Sequence, residues 1–287
     1  MKHIILLFHK KLNNKYINII IIIYLMLLNK SNIVINNLQC AIGQRKDGVQ
    51  YGGDFIIRKI NNLPPINNIS FSTINDYLIA YQSIYNNLSQ HKFCINIGGD
   101  HSVGLSTVQP LLDIYQDDVL IIWIDAHGDI NTPETSPSQN LHGMPVSALL
   151  GLMDNWLDNK NHHKLNPKNL VYVGVRDLDP GETTFIKNLN ISCFNNYSES
   201  LYQFILNHPA KYIHISCDID GIDPICMPST GTAVKNGLCV NDVIQIINNF
   251  KYKLISFDLV EFNPYIGSDE DLNITLTNIL QILNTII

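Results

Sequence analysis

Residues 119–129 read VLIIWIDAHGD: six apolar residues, Val119 to Ile124, run directly into Asp125, His127 and Asp129. A short apolar run without polar alternation fits a strand buried on both faces, the kind found in parallel sheets. The same arrangement recurs along the chain. Phe93 to Ile97 leads into GGDHS, which carries His101, and Tyr212 to Ile215 leads into SCDIDGIDP, which carries Asp218, Asp220 and Asp223. Leu170 to Val175 and Leu254 to Leu259 are further runs of this type. Between the runs lie residues with helical spacing. Tyr77, Leu78, Tyr81, Ile84, Tyr85 and Leu88 form one set, and Val243, Ile246, Ile247 and Phe250 another, behind Asn241 as the expected cap. A last set, Leu272, Leu276, Ile279, Leu280 and Leu283, is expected to continue to the carboxyl end. From about residue 32 onward this alternation predicts an α/β fold, a doubly wound parallel β-sheet flanked by helices. Ligands of such folds sit beyond the carboxyl ends of the strands, where the clustered His and Asp residues fall.

Composition narrows the function classes. The chain has 287 residues, of which 46% are hydrophobic and 15% charged, so it carries enough apolar mass for one large domain. Nineteen Lys and Arg against 25 Asp and Glu leave a net charge of −6, so no positive field is available for a phosphate backbone and a nucleic-acid partner is not expected. The six cysteines, Cys40, Cys94, Cys193, Cys217, Cys226 and Cys239, form no C-x-x-C pair and read as reduced thiols, which favours a cytoplasmic location. Residues 1–46 contain no Asp or Glu and include the apolar stretch Ile17 to Leu28. We therefore divide the chain into an amino-terminal extension, 1–31, and a single domain, 32–287; the extension leaves a mitochondrial presequence or a membrane anchor open beside simple compositional drift.

The clustered side chains point to metal chemistry. In an extended chain residues i, i+2 and i+4 share a face, so Asp125, His127 and Asp129 are expected to converge, as are Asp218 and Asp220. Carboxylates this close repel by several kcal/mol in a cleft unless cations or protons neutralise them. Taken singly, each piece has an ordinary explanation: a core histidine, a glycine turn, a solvated strand end. Three strand ends delivering imidazoles and carboxylates together favour a two-metal site bridged by Asp125 and Asp218, with a bridging hydroxide as nucleophile. The donor set is oxygen-rich with two imidazoles and no thiolate, which suits Mn²⁺ better than structural zinc.

At these positions the sequence resembles the arginases of the ureohydrolase superfamily. The resemblance rests on GGDHS (98–102), DAHGDINTP (125–133), SPSQNLHG (136–143), RDLDPGE (176–182), SCDIDGIDP (216–224), TGT (230–232) and VEFNP (260–264), in that order. It implies an arginase-like α/β/α domain with two Mn²⁺ ions, one on His101, Asp125, Asp129 and Asp218, the other on His127, Asp125, Asp218 and Asp220. The implied reaction is hydrolysis of L-arginine to L-ornithine and urea. Asp129 would carry a proton to the leaving nitrogen, His142 would shuttle protons, Glu261 would orient the guanidinium, and Thr232 would support that end of the site. Asn131, Ser136 and Ser138 match positions facing the α-carboxylate, and Asp179 and Glu182 those facing the α-ammonium. The same resemblance implies a homo-oligomer, a trimer in many members, although the chain lacks the extended tail that helps eukaryotic members assemble. The stretch between Gly48 and His101 looks shorter than in typical members, as if a peripheral strand or helix were missing. The alternatives are an agmatinase or other guanidino-acid hydrolase, and a catalytically impaired paralogue with a regulatory role.

Overall fold

The computed structural model describes residues 32–61, 63–153 and 161–287. The extension 1–31, with its apolar stretch and its possible targeting role, lies outside them. Among the described residues no helix is long and apolar enough to cross a membrane.

Among the described residues eight strands alternate with eight α-helices. In chain order these are β1 (Ile33–Gln39), α1 (Gly52–Ile57), β2 (Ile66–Ser70), α2 (Asp76–Ser89), β3 (Phe93–Gly98), α3 (Gly104–Tyr115), β4 (Val119–Ile124) and α4 (Pro145–Leu149). There follow β5 (Leu170–Val173), α5 (Pro180–Asn188), β6 (Ser192–Phe194), α6 (Glu199–Asn207), β7 (Tyr212–Asp218), α7 (Val240–Phe250), β8 (Leu254–Val260) and α8 (Asp269–Leu283). The strands form one sheet in the order β2-β1-β3-β8-β7-β4-β5-β6, parallel throughout. The stretch after Gly48 holds α1, the edge strand β2 and α2.

Successive strand residues point to opposite faces, so the sheet divides the core in two. On one face Ile95, Ile122, Ile215 and Phe257 pack against Leu201 of α6, Val243 and Ile247 of α7 and Ile279 of α8. On the other, Cys94, Ile121, Trp123 and Tyr172 pack against Tyr77 and Ile84 of α2 and Val108 and Leu111 of α3. The helices exist because each offers such a stripe: Val240, Val243, Ile246, Ile247 and Phe250 of α7 are all buried. Burial of one such side chain contributes about 1.5–3 kcal/mol.

Several boundaries differ from the sequence expectation, and β3, β7 and β8 run on past their apolar stretches to Gly98, Asp218 and Val260. Helix α7 starts before Asn241, with Cys239 at its cap, whose amide donates to Asp242 Oδ2 at 2.9 Å. Strand β5 stops at Val173 because Gly174 turns with φ 95°, and α8 ends at Leu283 rather than at the last residue. The apolar reading also passed over a polar row inside the sheet. Asn36 of β1, Asn96 of β3 and Asp258 of β8 are paired by register, and Asn36 Nδ2 donates to Asn96 Oδ1 at 2.7 Å while Asn96 Nδ2 donates to Asp258 Oδ1 at 2.6 Å. Thr107 of α3 donates to the other Asp258 oxygen, so the buried carboxylate is held from two sides.

Candidate metal centre

Four adjacent central strands, β3, β8, β7 and β4, end side by side and each delivers one part of the site. Beyond β3, Asp100 caps a short 3₁₀ turn, accepting from Ser102 N at 3.1 Å and from Gly43 N at 2.9 Å, and that turn holds His101. Gly99 is required there: a Cβ would stand 1.7 Å from the Cys40 carbonyl oxygen. Strand β4 ends at Ile124, so Asp125 to Asp129 do not continue it. The shared-face argument therefore does not account for their convergence; a turn does. His127 N donates to Asp125 Oδ1 at 2.7 Å, and Asp129 adopts φ 50°, a left-handed backbone that a non-glycine residue reaches only at a cost. After β7, Asp218 Oδ1 accepts from Asp220 N at 2.8 Å and starts a second 3₁₀ turn, which brings Asp220 back toward Asp125. A Cβ on Gly221 would meet Asp125 N at 2.7 Å, so the two ligand turns pack backbone to backbone. After β8, Glu261 also has a left-handed backbone, φ 64°.

The side chains form two groups that share Asp125. His101, Asp125 and Asp218 make one, and Asp125, His127 and Asp220 the other. His101 Nδ1 lies 2.9 Å from Asp125 Oδ2, 2.9 Å from Asp129 Oδ2 and 3.4 Å from Asp218 Oδ2. His127 Nδ1 lies 3.4 Å from Asp125 Oδ1 and 3.2 Å from Asp220 Oδ2. Asp129 thus belongs with the first group, whereas Asp218 is grouped with His101 and not with His127. All but His127 are buried. Within this cleft His101 Nδ1 and Asp129 Oδ2 are buried without a hydrogen-bond partner. An imidazole nitrogen and a carboxylate oxygen that crowd each other and further carboxylates without forming a well-aligned hydrogen bond are what cation ligands look like before the cation is counted.

Electrostatics agree. Burial pushes the carboxyl of Asp129 up to about 7, reinforced by the charge of Asp125, and burial likewise raises Asp218 and Asp220. The imidazole of His127 is pushed up to about 12, where the Asp125 and Asp220 carboxylates outweigh its desolvation. Without cations the cluster must hold protons in their place.

Several residues that the sequence reading did not single out fix this arrangement. Ser216 Oγ lies 2.9 Å from His101 Nε2 and turns Nδ1 inward, and the Trp123 ring stacks on the His101 ring at 4.2 Å. Trp123 Nε1 donates to Asp125 Oδ2 at 3.1 Å. Ser216 and Asp218 lie on one face of β7 by the two-residue period, and that is the only sequence signal that could have identified the serine. Gln44, from the loop after β1, donates to Glu261 Oε2 at 2.9 Å.

The other candidates surround the centre. His142 Nδ1 lies 3.0 Å from Glu261 Oε1, which also accepts from His101 N at 2.9 Å. That pair pushes the His142 imidazole up to about 9 against the burial that would lower it. Thr232 Oγ1 donates to Asp220 Oδ2 at 2.6 Å, so it braces a carboxylate of the centre and makes no bond to Glu261. Asp179 heads α5 and accepts from Asn131 Nδ2 at 2.9 Å; Glu182, one turn in, accepts from Asp179 N at 3.0 Å. The last two also form a helix capping box, a structural duty the sequence reading did not assign them. Ser136 Oγ is buried and accepts from Gln139 N at 3.0 Å, while Ser138 is exposed on the same loop.

Residues 32–287 match the family model described as the arginase family. An arginase of Schizosaccharomyces pombe is 36% identical over 217 residues, 71% of this chain and 67% of that one. An arginase of Saccharomyces cerevisiae is 37% identical over 209 residues, covering 65% of this chain and 61% of its own length. The aligned stretch thus spans about two thirds or less of these yeast proteins. Among solved structures, Entamoeba histolytica arginase in complex with L-ornithine superimposes with a TM-score of 0.76 at 28% identity, covering 88% of this chain and 97% of that one.

Proposed function

This chain belongs to the arginase family, and from that premise we propose that it hydrolyses L-arginine to L-ornithine and urea at a centre built for two divalent cations, Mn²⁺ by its donor set. The observation that carries the reading is the pair of His and carboxylate groups sharing Asp125, with His101 Nδ1 and Asp129 Oδ2 buried 2.9 Å apart between them without a hydrogen bond of good geometry. His101, Asp125, Asp129 and Asp218 would hold one cation, and His127, Asp125, Asp218 and Asp220 the other. When bound, the cations would lower the pKa of water toward neutrality and offset the carboxylate charge.

The chain's own residues supply the remaining requirements. Glu261 is held by His101 N, His142 and Gln44, so its carboxylate presents a fixed anion to the substrate guanidinium. Water adds to the guanidinium carbon, its first proton passing to solvent. Asp129 Oδ2 takes the proton from the attacking oxygen and delivers it to the ornithine nitrogen as the C–N bond breaks. Urea leaves, and His142 exchanges protons between the amine product and solvent. Asn131 and Asp179, hydrogen-bonded to one another, would receive the α-amino acid end together with Ser136, Ser138 and Glu182, as the resemblance implies.

The reading is tested at the amino acid end. Asp179→Asn preserves the helix cap, since Asn caps as well as Asp, and removes the charge together with one of the two acceptor oxygens. Loss of a charge-assisted contact of this kind costs about 1.5–3 kcal/mol, so kcat/KM for arginine is expected to fall about ten- to a hundredfold. The fall should be smaller for agmatine. Steady-state kinetics on both substrates check it, and a variant equal to wild type on arginine would remove Asp179 from substrate recognition.

A second expectation concerns His142. Its pKa is raised from 6.5 to about 9, so its pairing with Glu261 stabilises the fold fully below pH 6.5 and that contribution is lost as pH rises through about 9. Thermal midpoints of cation-free wild type and His142→Asn, compared across this range, should differ most at the acid end and converge in alkali. A difference that grows with pH would contradict the pair.

A further inference from the structure

Arg176 follows strand β5 and reaches none of the cation ligands' side chains, yet its guanidinium is fully used. Nε donates to the Lys235 carbonyl at 3.1 Å, Nη1 to Gly174 at 2.8 Å and Gly221 at 3.1 Å, and Nη2 to Asp220 at 2.7 Å and Val234 at 2.8 Å. These carbonyls come from three separate segments: the end of β5, the 3₁₀ turn after β7, and the loop leading to α7. The enclosure is tight, because a Cβ on Gly237 would stand 2.7 Å from Nη2. The Arg176 backbone adds a fourth segment, its amide donating at 2.9 Å to the carbonyl of Ala126, between Asp125 and His127.

All of these bonds except that to Gly174 lead toward one half of the centre. Asp220 supplies both a held carbonyl and a ligand carboxylate. The loop whose Val234 and Lys235 carbonyls are held also carries Thr232, whose hydroxyl donates to Asp220 Oδ2. Ala126 is flanked by Asp125 and His127. His101, by contrast, is oriented by Ser216, Trp123 and its own 3₁₀ turn, none of which Arg176 touches. We propose that Arg176 is a positioning residue that sets the His127–Asp220 half of the centre independently of the His101 half. The inference rests on the two-cation reading above. The physical basis is the guanidinium fork, whose five donors lie in one fixed plane; a lysine ammonium offers three donors on a flexible stem and cannot span the three segments.

Groups that orient metal ligands from behind typically carry about 10- to 100-fold in metal affinity. The test uses full-length protein loaded with Mn²⁺ and challenged with graded chelator, with retained manganese per chain read by atomic absorption. Wild type should retain two ions over a common range of chelator. Arg176→Lys should release one ion at about 10- to 100-fold weaker challenge and hold the other as wild type does, while kcat falls and KM for arginine stays near wild type. Arg176→Ala should show the same single loss, and millimolar guanidinium ion should restore the lost ion. Parallel weakening of both ions in the variants, or two ions held as in wild type, would overturn the assignment to Arg176 alone. A wild type that holds fewer than two ions would instead contradict the two-cation reading, and the inference with it.

Discussion

Asp129→Asn is expected to lower kcat for urea release by about 10²- to 10⁴-fold, the range supplied by a positioned proton-transfer group, with the thermal midpoint little changed. The structure makes this a clean substitution. Asp129 adopts φ 50°, and Asn is among the residues that enter the left-handed region most readily, so the turn is retained. The Oδ2 atom that would be replaced meets His101 Nδ1 at 2.9 Å and forms no other contact with a donor, so the one interaction altered is that with the imidazole. Kinetics of urea production and thermal denaturation of the same preparations check it. Undiminished turnover would remove Asp129 from proton transfer, and a collapse in stability without a matching change in kcat would make it a structural residue.

Removing the cations is expected to abolish urea release and to lower thermal stability together. A ligand bound only by the native state stabilises it by RT ln(1 + [L]/Kd), about 4 kcal/mol at a thousandfold excess over Kd. The pH dependence follows from Asp129, whose folded pKa of about 7 lies above its ordinary 3.8. A carboxyl raised in this way stabilises the cation-free fold below pH 3.8 and loses that contribution as pH rises through about 7. Cations bind the deprotonated form, so the gap in thermal midpoint between Mn²⁺-loaded and chelated protein should widen from pH 5 to pH 7.5. A gap that narrows, or chelated protein with full activity, would contradict the proposed centre.

The parts of this molecule that were legible in the sequence are those in which a single residue's neighbours along the chain determine its place. Strand β4 could be read to the residue because six apolar side chains stop at a carboxylate. The clustering of His101, Asp125, Asp218 and Asp220, candidates to hold a cation, could be anticipated because strand ends collect them. What was not legible depends on contacts between distant segments. Asn96 sits in an apolar run and gives no sign that Asn36 and Asp258 flank it, since register across three strands decides that. The convergence of Asp125, His127 and Asp129 was expected for a reason the backbone does not follow: an extended strand would have aligned them, whereas a turn with a left-handed Asp129 brings them together. Thr232 illustrates the same limit, placed near the guanidinium end by resemblance but bonded to Asp220. Gln44, Ser216 and Arg176 act through partners far away in sequence, which the sequence around them does not name.

The most direct test is urea release by Mn²⁺-loaded, full-length protein given L-arginine and agmatine side by side, with ornithine quantified in the arginine reaction. The account predicts urea and ornithine in equal amounts from arginine and a much smaller kcat/KM for agmatine. No urea from arginine at full metal loading, or faster release from agmatine, would contradict it.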